Sequence, residues 1–330
     1  MTIPITVLMS VYNGELFLKE SISSVLKQSF AEFEFIIVND GSTDSSLKII
    51  NQFALLDNRI RVINKLNSGS YDSLNLGIEQ AKGEWISIID SDDIYETDKL
   101  KKQYSFSKLN KSVNLIGSCF STINEKGGKL KNYKVPTDQI ILKDNLSKKK
   151  LSFPHSSFFY KKRLAILNKY RSNVFKIGAD YDLCLRFSEI GDIACIESFS
   201  VRLRRHRQQI SHTEKGLRQL INSRVAQISH LIRKKGYSDP IGLDINDKLY
   251  IQFYNFIKND NELKKITNFQ ILIIQINYLL LNLDFKNFIK LFYLIIKSPL
   301  IILNYIMYHF SGKIIENELI NKWIQKKLLN

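Results

Sequence analysis

The sequence EWISIIDSDDIYETDKL, residues 84–100, places three carboxylates within four positions, directly after a strand-like apolar run. Ionised carboxylates this close repel one another and raise each other's pKa, so stability alone does not favour them at the end of a buried strand. A positive partner is therefore expected: solvent counterions, a Lys or Arg side chain, or a metal ion. Asp90 and Asp92 lie two apart, and on an extended segment they are expected to project to the same side.

An alternation of short apolar strands with amphipathic helices surrounds this stretch, from residue 3 to about residue 118. Strands are predicted at ITVLMS, EFIIVND, RIRVINK, EWISIID and VNLIGS. Helices are predicted at ELFLKESISSVLKQS, SSLKIINQFALL, SYDSLNLGIEQAKG and TDKLKKQYSFSKL. Repeated βαβ units predict an α/β fold with a doubly wound, mostly parallel sheet, whose ligands bind beyond the carboxyl ends of the strands.

Polar motifs follow four of these strands, namely SVYNG, NDGSTD, NSGSYDS and DSDD. NDGSTD has the composition of a turn that caps a helix, but Asp40 precedes the cap and can accept hydrogen bonds from a nucleobase or ribose. DSDD suits Mg²⁺ or Mn²⁺, which nucleotide enzymes hold with one or two carboxylates and the diphosphate. The alternative is an acidic helix N-terminus, which would account for Asp93 but not easily for Asp90.

Taken together, these motifs resemble glycosyltransferase family 2, whose members are inverting, nucleotide-sugar-dependent enzymes with the GT-A fold. The resemblance is carried by PITVLMSVYNGELFLKESISSVLKQS, FEFIIVNDGSTDSS, NSGSYDSLNLGIEQAKGEWISIIDSDD and IGADYDLCLRF, and it spans residues 3 to about 211. It implies a metal-dependent hexosyl- or N-acetylhexosaminyl-transferase that uses Mn²⁺ or Mg²⁺. The expected donor is a UDP- or dTDP-sugar.

The resemblance also implies site residues. Asp92 and His206 are expected at the metal, and His155 in FPHSS is a candidate for the acceptor pocket. The sequence does not decide which arginine faces the diphosphate among Arg204, Arg205 and Arg207. Arg205 is the one predicted to bind the donor. The residues expected to bind the nucleotide or the donor are Tyr12, Asn13, Asp40, Asn75, Asp90, Arg205 and His206.

The segment GADYDLCLRF resembles the one that supplies the catalytic base. Many family members have Glu-Asp here, whereas this chain has Ala179 and Asp180, so only the aspartate is kept. Asp180 is the predicted base, and Asp182 is the alternative. A structural aspartate at a helix start, near Arg186, is the other interpretation of Asp180.

The sequence changes character near residue 212. Residues 1–211 are predicted to form the GT-A catalytic domain, and residues 212–330 a helical C-terminal region. Apolar runs at 266–283 and 288–310 are interrupted by amides, lysines and a proline, so neither is a convincing membrane-spanning helix. These runs suit a packed helical subdomain, a homodimer interface or the surface of an anionic membrane.

The chain carries a net charge of +16, which indicates an anionic partner. The basic residues are spread out rather than gathered in one stripe, so nucleic-acid binding is not expected. Three cysteines without a CxxC pair and an N-terminus without a signal-peptide pattern favour a cytoplasmic protein. The expected place is the inner face of the cell membrane, and the expected acceptor is a glycan or a lipid-linked sugar in bacterial surface polysaccharide synthesis.

Two other classes of protein fit parts of the pattern. A sugar nucleotidyltransferase also sets carboxylates and a metal at strand ends, but it would bring a Gly-rich basic loop after the first strand, and SVYNGELF is not one. A non-catalytic nucleotide-sugar binding or scaffold protein is the second alternative, and Ala179 keeps it in consideration.

Overall fold

The computed structural model of the chain describes residues 3–149, 153–206, 209, 214–242, 244–260 and 319–325. The chain divides into two compact units. The first unit comprises residues 1–172 and 179–206, and the second comprises residues 173–178 and 207–330. The division into a catalytic domain, residues 1–211, and a helical region, residues 212–330, concerns function and stays a prediction.

The described residues contain nine strands, nine α-helices and a further helical stretch at 319–325. The strands are β1 Ile5–Val11, β2 Phe33–Asp40, β3 Ile60–Lys65, β4 Trp85–Ile88, β5 Ile94–Tyr95, β6 Val113–Ile123, β7 Lys129–Tyr133, β8 Phe159–Lys161 and β9 Asp192–Arg204. The helices are α1 Leu18–Leu26, α2 Ser46–Leu56, α3 Ser70–Gln80, α4 Lys99–Leu109, α5 Gln139–Ser147, α6 Lys162–Leu167, α7 Ala179–Ile190, α8 Glu214–Lys234 and α9 Lys248–Asn259.

All nine strands form one sheet, in the order β3-β2-β1-β4-β8-β6-β9-β5 with β7 beside β6. The pairs β1/β2, β2/β3, β1/β4 and β6/β9 are parallel. β8 is antiparallel to both β4 and β6, so β6 and β9 run in the same direction as β1 to β4. The prediction of a mostly parallel sheet is confirmed, and the carboxyl ends of six strands meet at one edge.

The insertion of β8 was not predicted. VNLIGS was expected to continue the βαβ series, and it does form β6, but β8 separates it from β4. Trp85 of β4 stacks on Phe159 of β8, with ring centroids 4.9 Å apart. Because β8 is only three residues long and follows a 3-10 turn, its hydrophobic pattern gives no periodic signal.

The central strands β2 and β6 lie in the hydrophobic core. All eight residues of β2 and all eleven of β6 are buried, as expected for strands covered on both faces. Helix α3 lies against β1 at Gly77, where a Cβ atom would come within 2.2 Å of the Leu8 side chain. Gly77 therefore lets α3 pack closely enough to place its first turn near the strand ends.

The second unit is helical where it is described. Helices α8 and α9 belong to it, and the rings of Phe253 on α9 and Trp323 lie 4.9 Å apart. None of the helices that the structure describes is long and apolar enough to cross a membrane. The apolar runs at 266–283 and 288–310 lie outside the described residues, so the membrane and homodimer predictions made from them stay predictions.

Candidate active site

The loops after β1 and β2 are bonded to each other at the carboxyl edge of the sheet. Asn13 adopts a left-handed backbone (φ 51°), and its Oδ1 accepts a hydrogen bond from the Thr43 N–H at 2.8 Å. Its own N–H donates to Ser42 Oγ at 3.1 Å. Asn13 therefore holds the NDGSTD loop in place. The neighbouring Tyr12 ring is 53% exposed and is free to border a ligand.

Asp40 ends β2 and is almost completely buried, with 1% of the residue exposed. It accepts hydrogen bonds from Lys65 Nζ, from the Ser68 N–H at 3.0 Å and from the Gly69 N–H at 2.9 Å. Burial by itself raises the pKa of Asp40, but Lys65 and the two backbone donors outweigh it, so the pKa lies below its usual value. Asp40 is thus an ionised carboxylate covered by Lys65. The nucleobase of a donor can contact Asp40 only if the Lys65 side chain moves aside.

Asp90 and Asp92 do not share one side of an extended strand, contrary to the prediction. Residues 90–93 form a tight turn in which the Asp93 N–H donates to the Asp90 carbonyl at 3.2 Å. Asp90 then turns towards His155 and Asp92 towards His206. The acidic helix N-terminus proposed as an alternative is also excluded, because α4 begins only at Lys99.

His155 joins Asp90 to an aromatic cluster. Its Nδ1 lies 3.3 Å from Asp90 Oδ1, and its Nε2 lies 2.9 Å from the Tyr170 hydroxyl. Burial lowers the pKa of His155, but the Asp90 carboxylate outweighs it and the pKa lies above its usual value. Partial burial likewise raises the pKa of Asp90, and His155 and Ser156 bring it below its usual value. Asp90 and His155 therefore form an ion pair at mildly acidic pH.

Asp92 lies at the open rim of the site with His206. Asp92 Oδ2 is 2.8 Å from His206 Nε2, and the two side chains are 27% and 9% exposed. The His206 Nδ1 atom is buried and has no hydrogen-bond partner among the described residues. The His206 ring also packs on Phe17, with ring centroids 4.8 Å apart.

The Asp92–His206 pair was tested as a metal site. No group of three or more His, Cys, Asp or Glu side chains is arranged to hold a metal ion within the described ranges. Mg²⁺ and Mn²⁺ in nucleotide enzymes need only one or two protein ligands, because diphosphate oxygens and water complete the shell. One partly exposed carboxylate, and one imidazole whose second nitrogen lacks a partner among the described residues, fit that pattern.

Asp93 is buried beneath the other two carboxylates. It accepts hydrogen bonds from Ser156 Oγ and from the Arg204 N–H at 3.0 Å. Burial, followed by the charges of Asp92 and Asp90, raises the pKa of Asp93 well above its usual value. The crowding noted in the sequence is therefore reflected in the raised pKa of Asp93.

The structure distinguishes Arg204 from Arg205 as candidates for binding the diphosphate. The Arg204 side chain is 1% exposed and forms an ion pair with Glu20. It also donates to the Asp92 and Glu125 carbonyls and lies 4.8 Å over the Phe17 ring. Its guanidinium is thus used inside the protein, which leaves Arg205 as the described candidate for the diphosphate. Arg207 lies outside the described residues.

Asp180 and Asp182, two apart on α7, have different surroundings. Asp182 is fully buried and pairs with Arg186 at 2.8 Å and with Arg171 at 3.5 Å. Asp180 is partly exposed, and its Oδ1 accepts a hydrogen bond from the Tyr71 hydroxyl at 3.0 Å. The structural role near Arg186 that was considered for Asp180 belongs to Asp182, so Asp180 is the better candidate for a base.

Tyr71 and Tyr170 are site residues that the sequence analysis did not single out. Their rings stack with centroids 5.2 Å apart, so Asp180, Tyr71, Tyr170, His155 and Asp90 form one continuous set of contacts. Burial, then the Asp180 charge, raises the pKa of Tyr71 well above its usual value, so its hydroxyl remains a donor. We call these five residues the aromatic bridge.

Asn75, predicted to bind the donor, instead supports the aromatic bridge. Its Nδ2 donates to the Tyr170 carbonyl at 2.8 Å, and its Oδ1 accepts from the Tyr170 N–H at 3.0 Å. The amide therefore holds both backbone polar groups of Tyr170. A contribution of Asn75 to donor binding through Tyr170 is compatible with these contacts.

Residues 6–167 match the family described as Glycosyl transferase family 2. Over this stretch, which is just under half of the chain, the sequence is similar to glycosyltransferase family 2. The resemblance seen in the sequence motifs is thereby confirmed, and with it the general class of glycosyltransferase.

Proteins with similar sequences are also named glycosyltransferases. An uncharacterized glycosyltransferase of Haemophilus influenzae is 26% identical over 276 residues, which are 79% of this chain and 84% of that protein. Glycosyltransferase GlyG of Streptococcus pneumoniae is 37% identical over 118 residues. That match covers 36% of this chain and 39% of GlyG, so the agreement with GlyG concerns less than half of either protein.

Solved structures support the GT-A-like fold of this chain. Staphylococcus aureus TarS 1-349 in complex with UDP-GlcNAc has a TM-score of 0.54 at 18% identity, covering 84% of this chain and 80% of that one. Mannosyltransferase PcManGT from Pyrobaculum calidifontis, in complex with GDP-Man and Mn²⁺, has a TM-score of 0.52 at 14% identity, covering 97% and 87%. At these identities the likeness shows the fold alone.

Proposed function

We propose that this protein is an inverting glycosyltransferase that moves a sugar from a UDP- or dTDP-sugar to an acceptor hydroxyl. The observation that carries the proposal is the aromatic bridge, which ties a partly exposed carboxylate, Asp180, to the strand-end carboxylate Asp90. A base is therefore held beside the place where a donor would lie. A protein that only bound nucleotide sugars would not need such a base.

In this proposal the donor lies along the carboxyl edge of the sheet. Tyr12 borders the base, Asp40 contacts it once Lys65 has moved, and Asp90 lies nearest the ribose. Asp92 and His206 hold Mn²⁺ or Mg²⁺, which supplies positive charge to the diphosphate. Arg205 adds a guanidinium that can pair with phosphate oxygens through two hydrogen bonds.

Asp180 is the proposed general base. Its Oδ1 is engaged by Tyr71, so we assign Oδ2 to the acceptor hydroxyl. The carboxylate removes the hydroxyl proton while the acceptor oxygen attacks the anomeric carbon from the side opposite the nucleoside diphosphate. One displacement inverts the anomeric configuration, and no covalent intermediate with the protein is required. Tyr71 is a positioning residue that keeps Asp180 aimed into the site.

The proposed acceptor is a glycan or a lipid-linked sugar, with a role in bacterial surface polysaccharide synthesis. A net charge of +16 favours association with an anionic membrane surface from the cytoplasmic side. We propose residues 1–211 as the catalytic domain and residues 212–330 as the helical region that contacts either a membrane or a second copy. His155 belongs to the aromatic bridge, so its proposed contact with the acceptor is indirect.

A nucleotide-sugar screen tests the proposal. Thermal unfolding of the full chain is followed with UDP-, dTDP- and GDP-sugars, each with Mn²⁺ and with EDTA, because a bound ligand raises the melting temperature. UDP-GlcNAc and GDP-Man are included because the similar TarS and PcManGT structures contain them. Metal-dependent stabilisation by a UDP- or dTDP-sugar, with release of the nucleoside diphosphate when acceptor is added, is expected.

Other outcomes would identify other functions. Stabilisation without release of nucleoside diphosphate, over a panel of glycan and lipid-linked acceptors, would favour the nucleotide-sugar binding protein. Stabilisation by a nucleoside triphosphate with a sugar phosphate would favour the nucleotidyltransferase. Selective stabilisation by GDP-sugars would contradict the proposed donor.

A further inference from the structure

A cavity of about 410 Å³ opens at the end of β4 opposite the candidate active site. Trp85, the first residue of β4, and Ser107 of α4 contribute to its wall. Five cationic side chains and one carboxylate complete the lining, namely Lys108, Lys111, Lys161, Lys162, Arg163 and Glu84. We call this space the basic cavity.

Two of the cations in the basic cavity are bonded to uncharged acceptors. Lys161 is 9% exposed, and its Nζ donates to the Lys111 carbonyl at 2.6 Å and to Asn114 Oδ1 at 3.3 Å. Lys162 Nζ donates to the Ala81 carbonyl at 2.9 Å. Neither carbonyl nor amide oxygens neutralise an ammonium group, so both positive charges remain.

The other three cations are equally uncompensated. Lys108 Nζ lies 4.6 Å over the Tyr104 ring. The Lys111 ammonium and the Arg163 guanidinium form no hydrogen bond or ion pair with any residue that the structure describes. Burial, then the charge of Arg163, lowers the pKa of Lys161, which is consistent with like charges held close together. Only Glu84 opposes these five charges.

The charge of the basic cavity is not simply that of a basic protein. A second cavity, of about 550 Å³, lies along the same helix α4 and contains Lys101 and Lys102. Its lining also contains Asp98 and Glu197, so its charges balance. The two cavities share a helix and differ in charge, which makes the second a natural control for the first.

We propose that the basic cavity binds a phosphate-bearing anion with two or more negative charges. A guanidinium and several ammonium groups around one space suit phosphate, whose oxygens accept charge-assisted hydrogen bonds from both. This is not the donor site, because Trp85 and Asp90 lie five residues apart along an extended segment, which corresponds to roughly 16 Å. The anion is either a soluble phosphate compound or the headgroup of an anionic lipid.

Two binding measurements on the full chain distinguish these sources. The first is calorimetric titration with inorganic tripolyphosphate in EDTA. The second is sedimentation with vesicles of phosphatidic acid and phosphatidylcholine, compared with phosphatidylcholine alone. Phosphatidic acid is used because its phosphate monoester can hold two negative charges. Both use the double variant Lys111→Glu/Arg163→Glu. The matched control is Lys101→Glu/Lys102→Glu, which replaces two cations by two anions in the second cavity.

We expect wild type and control to bind at least one probe, and the Lys111→Glu/Arg163→Glu variant to bind it at least about tenfold more weakly, since charge-assisted hydrogen bonds are lost. Loss of tripolyphosphate binding identifies a soluble anion. Loss of vesicle binding, with no tripolyphosphate binding in wild type, identifies a headgroup. Failure of wild type to bind either probe, or equal weakening in both double variants, overturns the proposal.

The altered residues are suited to this test because Lys111 and Arg163 are exposed. Thermal unfolding should therefore be unchanged in both double variants. The milder Lys111→Gln/Arg163→Gln variant repeats the measurement without introducing negative charge, and it should also weaken binding. Normal binding by this variant would likewise contradict the proposal.

Discussion

Residues 90–92 and residues 180–182 each contain two aspartates separated by one residue, and the structure treats the two pairs differently. In the turn after β4, Asp90 and Asp92 both reach the site and pair with two histidines. On α7, Asp180 reaches the site, whereas Asp182 is buried between two arginines. The comparison teaches that the same spacing brings both carboxylates to the site from a turn, whereas on a helix it leaves one carboxylate at the site and the other in a buried ion pair.

The largest expected effect comes from Asp180→Asn, which removes the proposed base from the α7 pair. Turnover should fall by about two to four orders of magnitude, the usual range for a general base. Affinity for UDP, measured by calorimetry with Mn²⁺, should be retained. Equal loss of UDP affinity would mean that Asp180 is structural, and normal turnover would assign the base to another residue.

Asp182→Asn should have the opposite consequence. Removing one partner of a buried ion pair leaves Arg186 and Arg171 without their carboxylate, so the free energy of unfolding should fall by about 3–5 kcal/mol. Chemical denaturation of the two variants side by side measures the difference. A stable Asp182→Asn protein that has lost turnover would reverse the roles assigned to the two aspartates.

The Asp90 and Asp92 pair can be separated in the same way. Asp92→Asn removes a negative charge from the proposed metal site, so Mn²⁺-dependent binding of UDP should weaken by at least about tenfold. Stability without ligand should not decrease, because repulsion among the carboxylates is relieved. Metal-dependent binding at wild-type strength would refute the metal assignment to Asp92.

The smallest expected effect tests the aromatic bridge. Tyr71→Phe removes one hydrogen bond to the Asp180 carboxylate, so kcat should fall by about tenfold. KM for the donor and the affinity for UDP should stay near wild type, because Tyr71 acts through Asp180. Tyr160→Phe is the control, since its hydroxyl lies 3.4 Å from the Tyr170 hydroxyl and is not hydrogen-bonded to Asp180 in the described structure. A similar loss of kcat in the control would indicate a general packing effect.

Local patterns in the sequence were enough for the strands and for the position of the site. Apolar runs and turn residues identified β1 to β4, and Asp40, Asp90 and Asp92 were expected at their carboxyl ends. The chain reversal at 90–93 was missed because an extended geometry was assumed where the Asp93 N–H closes a turn on Asp90. A strand-like run was expected after FPHSS, but its position between β4 and β6 was missed because a local pattern does not encode which strands pair.

Arg204 illustrates what a motif cannot specify. RLRRHR indicates a basic loop after a strand, but it does not tell which guanidinium turns inwards. That choice depends on Glu20 and Phe17, which come from α1 and its N-cap.

The sequence by itself determined the α/β class, the strand-end motifs and the family, because hydrophobic periodicity and turn chemistry act between neighbouring residues. Only the tertiary structure decided which side chains of the site contact one another. Tyr71 and Asp180 are 109 residues apart, and Asp92 and His206 are 114 apart, yet each pair is in hydrogen-bond contact. Such contacts arise where parallel strands bring their carboxyl ends to one edge, and no local pattern encodes which side chains meet there.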